Sequence, residues 1–268
     1  MPVKTVILIP ARFASIRYPG KPLVGLKGCT GCEKPLIQRS YEAALKVPGI
    51  AAVHVVTDDD RIAAAVRGFG GSALMTSEAA RNGTERCAEA LDQLDADIDI
   101  IVNFQGDALL TPPGFVTALV DQLGASPDSM VATPAMRQRS DEVRKLQAEE
   151  AAGRVGGTSV TVDNDGRALY FSKKLIPYLP EGTLAQDMSP VRLHIGVYAY
   201  RRAALATYVA TPVSELEMLE GLEQLRFLVA GIPIDVVEVA TPSFTLRELN
   251  NPEDVSPIED SLAMAGLE

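Results

Sequence analysis

Apolar and polar positions along the first half of the chain switch repeatedly between strand-like and helix-like periods. A β-branched run from Thr5 to Ile9 stops at Pro10 and reads as a first strand. Behind Pro35, the residues Leu36, Ile37, Ser40, Tyr41, Ala44 and Leu45 recur at helical spacing, and a proline suits the first turn of a helix. Ala52 to Thr57 then reads as a strand, Asp59 to Phe69 as a helix ending at Gly70-Gly71, and Ala73 to Thr76 as a short strand. Glu85 to Leu94 looks helical. Ile98 to Phe104 is an apolar run broken by Asp99 and Asn103, as in a buried parallel strand. Such β–α repetition predicts an α/β fold with a mostly parallel central sheet and helices on both faces.

The second half is less regular. Strands are expected at Met130 to Pro134, Thr158 to Val162, Ala168 to Phe171 and Leu193 to Tyr200, so the sheet turns mixed there. A charged, alanine-rich stretch between Gln138 and Gly157 reads as a solvated helix and Leu179 to Pro190 as a loop, both insertions in the fold. A helix is predicted over Ser214 to Ala230, a strand over Ile234 to Val239 and a last helix from about Asn251, with Pro252 in its first turn. On the helix from Ser214, Glu217, Glu220 and Gln224 share one face, while Met218, Leu222, Leu225 and Val229 form the buried stripe. That polar face suits either a polar ligand or plain solvent.

With 268 residues, 47% hydrophobic and 22% charged, the chain fits one large domain over 1–268 and excludes a disordered protein. Its apolar runs fall far short of the roughly 20 residues that cross a bilayer. The N-terminal segment lacks the pattern of a signal peptide. The expectation is a cytoplasmic protein with no membrane partner. Lys and Arg number 25 against 35 Asp and Glu, and a net charge of −10 argues against a nucleic-acid partner. Cys29 and Cys32 form a C-x-x-C, but Cys87, His54 and His194 are scattered, and a structural zinc needs about four ligands. A loop carrying two small thiols is the simpler reading.

In an open α/β sheet, ligands bind beyond the carboxyl ends of the strands. The loop after Ile9, from Pro10 to Pro22, gathers Arg12, Arg17 and Lys21 among the small residues Ala11, Ala14, Ser15 and Gly20. Inward-turned backbone N–H groups and three cations suit a polyphosphate, although the G-x-x-x-x-G-K-[ST] loop is absent. After Phe104, Gln105-Gly106-Asp107 sets a carboxylate at the strand end, with a glycine expected to let a bulky ligand approach the backbone. Mg²⁺ is held by one or two carboxylates plus substrate phosphate oxygens, so Asp107 beside the basic loop is a candidate ligand.

Pro10-Ala11-Arg12-x-Ala14-Ser15-x-Arg17-x-Pro19-Gly20-Lys21-Pro22-Leu23, Gly83-Thr84-Glu85-Arg86, Val102-Asn103-x-Gln105-Gly106-Asp107, Ala168-Leu169-Tyr170-Phe171-Ser172, His194-Ile195-Gly196-Val197-Tyr198 and Leu222-Glu223-Gln224-Leu225-Arg226 closely resemble, in this order, the motifs of the 3-deoxy-manno-octulosonate (KDO) cytidylyltransferase, or CMP-KDO synthetase, family. The resemblance runs from Lys4 to about Asp254. It implies a Rossmann-like nucleotidyltransferase and a homodimer whose second half also supplies acceptor and dimer contacts. The implied reaction is CTP + KDO → CMP-KDO + pyrophosphate with Mg²⁺, for lipopolysaccharide or capsule synthesis. By resemblance, Arg12 and Lys21, assisted by Arg17, hold the triphosphate, with Pro10, Ala11, Ser15 and Arg86 around it. Asp107 binds the metal, and Gln105, His194 and Tyr198 face the sugar acid. Lys173 stands where the family usually has arginine.

Departures from the pattern bear on the acceptor. Family members carry Gly-Val-Asp-Thr-Pro-Glu-Asp near the C-terminus, with the first aspartate a second metal ligand; here the segment reads Glu248-Leu249-Asn250-Asn251-Pro252-Glu253-Asp254. Asn250 takes the ligand position with an amide oxygen that brings no negative charge. Ala108-Leu109 replaces Glu-Pro after Asp107, and Ser159 replaces a lysine. Another ulosonic acid, a phosphonate acceptor, or a non-catalytic nucleotide-binding role stays open. A sugar 1-phosphate nucleotidyltransferase shares the sheet and first loop, but not the later motifs.

Overall fold

The computed structural model describes residues 3–14 and 17–268. Strand β1 (Thr5–Ala11) leads to a small hairpin, β2 (Gly25–Lys27) and β3 (Glu33–Pro35), and to helix α1 (Leu36–Leu45). Then come β4 (Ala52–Thr57), α2 (Asp60–Gly68), β5 (Ala73–Met75), α3 (Gly83–Glu89), β6 (Ile100–Phe104) and α4 (Pro113–Ala125). The second half contains β7 (Val131–Arg139), α5 (Ser140–Ala151), β8 (Ser159–Val162), β9 (Ala168–Ser172), β10 (Met188–His194) and β11 (Val197–Arg201). Helices α6 (Arg202–Ala210), α7 (Glu215–Glu220) and α8 (Leu225–Val229), strand β12 (Ile234–Glu238) and helix α9 (Val255–Ala265) complete it.

Among the described residues, a ten-stranded sheet runs in the order β5-β4-β1-β6-β11-β7-β10-β8-β9, with β12 beside β7. The first four strands are parallel, each neighbouring pair from β6 to β9 is antiparallel, and β12 is parallel to β7. Seven of the ten, β5, β4, β1, β6, β7, β8 and β12, therefore point one way, as the α/β pattern predicts. Strands β10 and β11 pair end to end with β7. His194 stands opposite Ala135 and Ala199 opposite Ala132, so Ile195-Gly196 bulges out of the ladder between them.

Both faces of β1 are buried: Val6 and Leu8 join one apolar cluster, Ile7 and Ile9 the other. Helices α1, α2 and α4 cover the second cluster, while α3, α6 and α8 cover the first. A third cluster, with Leu26, Leu249, Ile258 and Leu262, pins the β2–β3 hairpin to α9.

Several boundaries differ from the pattern reading. Helices α4 and α6 were not anticipated there, although Phe115, Val116, Leu119 and Leu123 of α4 bury a helical stripe behind Pro113. The strand expected over Leu193 to Tyr200 divides at the bulge, and β10 begins inside the expected loop, at Met188. The helix expected over Ser214 to Ala230 breaks at Gly221, whose φ of 61° closes α7 in a left-handed cap. Its proposed buried stripe fails accordingly: Leu222 and Leu225 are buried, whereas Met218 and Val229 are exposed.

Candidate active site

Beyond the C-terminal ends of β1 and β6 lies a cavity of about 930 Å³. Pro10, Ala11, Arg12, Arg17 and Lys21 enter it from the first loop, and Gln105, Gly106 and Asp107 from the end of β6. These are the two loops that the strand pattern singles out. Ser15 lies outside the described residues. Lys21 Nζ donates to Asp107 Oδ2 at 2.5 Å, and Arg17 Nη2 donates to Asn250 Oδ1 at 2.7 Å. The basic loop is thus tied to both positions considered for metal.

Gly106 has a reason other than ligand approach. A Cβ there would stand 2.7 Å from the Pro10 carbonyl oxygen, so the backbone it admits is the chain's own. This close crossing fixes Asp107 against the first loop. Arg86 lines the cavity, but it is buried and its guanidinium is spent on Thr76 Oγ1 at 2.6 Å, Asp58 Oδ2 at 3.2 Å and the Ser77 and Ala80 carbonyls. It holds the loop before α3 in place rather than presenting donors to a phosphate.

Glu248 also lines this end, a carboxylate that the motif reading passed over. The negative charge of Asp107, and then burial, push its pKa up to about 7, against the pull of Lys21, Asn250 and Arg17. The signal lay in the sequence: a glutamate stands where the resembling family has glycine.

The far wall comes from the β10–β11 junction and the segment between α7 and α8. His194, Tyr198, Glu223 and Gln224 line it, with Gln105 between the two ends. The Thr133 hydroxyl has one proton, which it gives to the Val197 carbonyl at 2.8 Å. At 2.8 Å from His194 Nε2 it therefore accepts, which places the imidazole proton on Nε2 and leaves Nδ1 as an acceptor. Burial holds the His194 pKa down to about 3, so the ring is neutral. Its ring lies 5.3 Å from that of Tyr198, which stacks at 5.7 Å on Tyr200. Among the described residues, the buried Gln224 Nε2 finds no partner, and it belongs to a side chain that faces the cavity. Such a buried donor needs an acceptor, which water or a bound molecule supplies.

Glu223, next to Gln224 in the same motif, was missed because helical spacing placed it off the polar face. The break at Gly221 invalidates that spacing and brings both side chains to the cavity. Glu223 accepts from the Thr84 N–H at 3.1 Å and from Gln105 Nε2 at 3.4 Å, and burial raises its pKa.

The same break removes Glu217 and Glu220 from the site. Glu217 is buried and accepts from Arg226 Nε at 2.7 Å and Nη2 at 2.5 Å, while Arg226 Nη1 reaches Glu85 at 2.9 Å. Glu220 accepts from the Ser172 hydroxyl at 2.7 Å and the Lys173 N–H at 2.9 Å, which staples α7 to β9. Lys173 is exposed and stands at the rim, its Nζ 2.8 Å from where a Gly221 Cβ would lie.

Comparison with known proteins identifies the relatives of this chain. The family model for cytidylyltransferases matches residues 6–236. The 3-deoxy-manno-octulosonate cytidylyltransferase of Maricaulis maris is 39% identical over 264 residues, covering 98% of this chain and 99% of its own. The 8-amino-3,8-dideoxy-manno-octulosonate cytidylyltransferase of Shewanella baltica is 39% identical over 264 residues, covering 98% and 100%. A solved CMP:2-keto-3-deoxy-manno-octonic acid synthetase complexed with CTP superposes with a TM-score of 0.83 at 37% identity, over 98% of this chain and 99% of that one. With its basic first loop, its Asp107 and its polar far wall in one cavity, the chain belongs to the cytidylyltransferase family.

Proposed function

We propose that this protein transfers the CMP unit of CTP to the anomeric hydroxyl of KDO, or of a close 3-deoxy-ulosonic acid such as its 8-amino analogue, with release of pyrophosphate. One observation carries the reading. A single cavity joins a cation cluster, which suits a triphosphate, to a hydrogen-bonding wall of His194, Tyr198, Glu223 and Gln224, which suits a sugar. In-line attack on the α-phosphorus asks the protein for positioning and charge stabilisation more than for covalent help. Arg12, Arg17 and Lys21 hold the triphosphate, and Lys21 leaves Asp107 for phosphate oxygens as it does so. On the acceptor side, Gln224 Nε2 donates to a sugar oxygen, His194 Nδ1 accepts from a hydroxyl, and Gln105 sits between the two substrates.

Hard carboxylate oxygens of Asp107 and Glu248 beside phosphate-facing cations form a donor set that fits a divalent cation. Mg²⁺ held by Asp107 would neutralise triphosphate charge as the bond to pyrophosphate breaks. Asn250 offers that duty a neutral amide oxygen, which accepts from Arg17.

We also assign the protein to the cytoplasm, as a single domain over 1–268 acting as a homodimer. No helix among the described residues is long and apolar enough to cross a membrane. Leu216, Met218 and Leu219 on α7 lie exposed and offer an apolar face to a second copy.

The test is pyrophosphate release with Mg²⁺, each of the four nucleoside triphosphates, and a panel of KDO, its 8-amino analogue, sialic acid and sugar 1-phosphates. Turnover with CTP and an octulosonate is expected. Turnover only with a sugar 1-phosphate, or none with CTP, refutes the reading. Sedimentation at the mass of one chain refutes the homodimer.

A further inference from the structure

Two carboxylates, Asp107 and Glu248, line the phosphate end of the cavity from opposite regions of the sequence. Glu248 Oε1 and Gln105 Cγ each lie 3.8 Å from the point where a Gly196 Cβ would stand, which sets the glutamate beside the end of β6 that carries Asp107. Leu249 is fully buried in the cluster that anchors α9, and its neighbours Glu248 and Asn250 both line the cavity. The two side chains therefore compete for the same role from one short segment.

They are not equivalent. The Asn250 oxygen accepts from Arg17 at 2.7 Å and carries no charge. Glu248 brings a second carboxyl group to the cavity that Asp107 enters from the end of β6. Placing two carboxylates together is unfavourable unless a cation lies between them. Against the Gly-Val-Asp pattern of the resembling family, Glu248-Leu249-Asn250 keeps one carboxylate and moves it by two residues. We propose that Glu248, and not Asn250, is the second carboxylate of the divalent-cation site, paired with Asp107 across the cavity. Asn250 instead orients Arg17 toward the triphosphate. This rests on the nucleotidyltransferase reading of the cavity given above.

The experiment is Mn²⁺ titration of the full-length protein without substrates, followed by the electron paramagnetic resonance signal of free Mn²⁺. Glu248→Gln is expected to weaken Mn²⁺ binding by about tenfold or more, the scale on which metal sites respond to loss of a supporting group. Asn250→Asp alone is expected to change it less, and Glu248→Gln with Asn250→Asp to recover most of the loss by returning a carboxylate to the family position. Unchanged binding in Glu248→Gln overturns the proposal, as does a gain in Asn250→Asp that exceeds the loss in Glu248→Gln. Asp107→Asn separates the two levels of the argument. If it abolishes binding while Glu248→Gln does not, only the role of Glu248 falls. If it too leaves binding unchanged, the reading of this end as a nucleotide–metal site falls with it. Glu248→Gly, the residue of the family pattern, serves as a second variant, and the Mn²⁺-induced rise in melting temperature shrinks in both variants if Glu248 is a ligand.

Discussion

Replacing Glu217 by alanine separates a folding role from a substrate role. Glu217 is 8% exposed and receives two hydrogen bonds from Arg226, itself 1% exposed and lying 4.1 Å over the Tyr208 ring. Truncation strips one of two carboxylate partners from a buried guanidinium and leaves Glu85 as the other. Breaking a buried pair by removing one partner costs about 3–5 kcal/mol, and the retained Glu85 brings the expected loss to the lower end, about 3 kcal/mol. For a chain of this size, 1 kcal/mol corresponds to about 2–4 °C, so the melting temperature should fall by about 6–12 °C. Urea and thermal unfolding by circular dichroism measure that loss, and initial rates with varied sugar acid measure KM on the same samples. The expected result is a lower midpoint with an acceptor KM close to that of the parent. A melting temperature within about 2 °C of the parent, together with a large rise in acceptor KM, would refute the reasoning. Glu217 would then face the substrate, as an unbroken helix demands.

Gln224→Leu should raise the acceptor KM by about tenfold while leaving the melting temperature nearly unchanged, because the donor it removes has no protein partner to lose. His194 is held near 3 while the unfolded chain titrates near 6.5, so the unfolded state takes up a proton that the folded state refuses. Its contribution to stability is whole above the unfolded value and is lost as pH falls toward the folded one, and His194→Gln should flatten that part of the curve in urea unfolding between about pH 4 and pH 7. Cys29 and Cys32 are exposed and Cys87 is buried, so a thiol reagent should modify two cysteines at once and the third only on unfolding. Three fast thiols would contradict the packing around α3.

Local composition carried the reading where function depends on one short loop. Arg12, Arg17, Lys21 and Asp107 stood out because cations and a carboxylate beside strand ends have few structural uses, and β1 and β6 bring them to one cavity. Helical periodicity failed at residues 214–230 because it assumes a continuous axis, and Gly221 ends that axis with a single left-handed residue. The glycine was legible as a possible helix end, but the buried partner that fixes Glu217, Arg226, was not, since ion pairing between helices has no period. Glu248 was obscured for a different reason. No motif marks a carboxylate two residues before the family's aspartate position, and its nearness to Asp107 arises only when segments 141 residues apart in sequence (248 − 107) meet. Arg86 was assigned by its motif, while its hydrogen bonds show a loop being held.

Strand β6, which delivers Asp107, lies between β1 and β11. One neighbour leaves the ribosome before it and the other almost a hundred residues after it, because β11 begins at Val197. Until that strand is synthesised, the five residues Ile100–Phe104, all buried in the finished sheet, present an unpaired apolar edge. Any N-terminal fragment ending before Val197 therefore holds the basic loop and Asp107 yet exposes a template for intermolecular pairing. Truncated or slowly translated chains should aggregate through this edge, and synthesis of β11 closes it in the same event that places Tyr198 in the cavity wall.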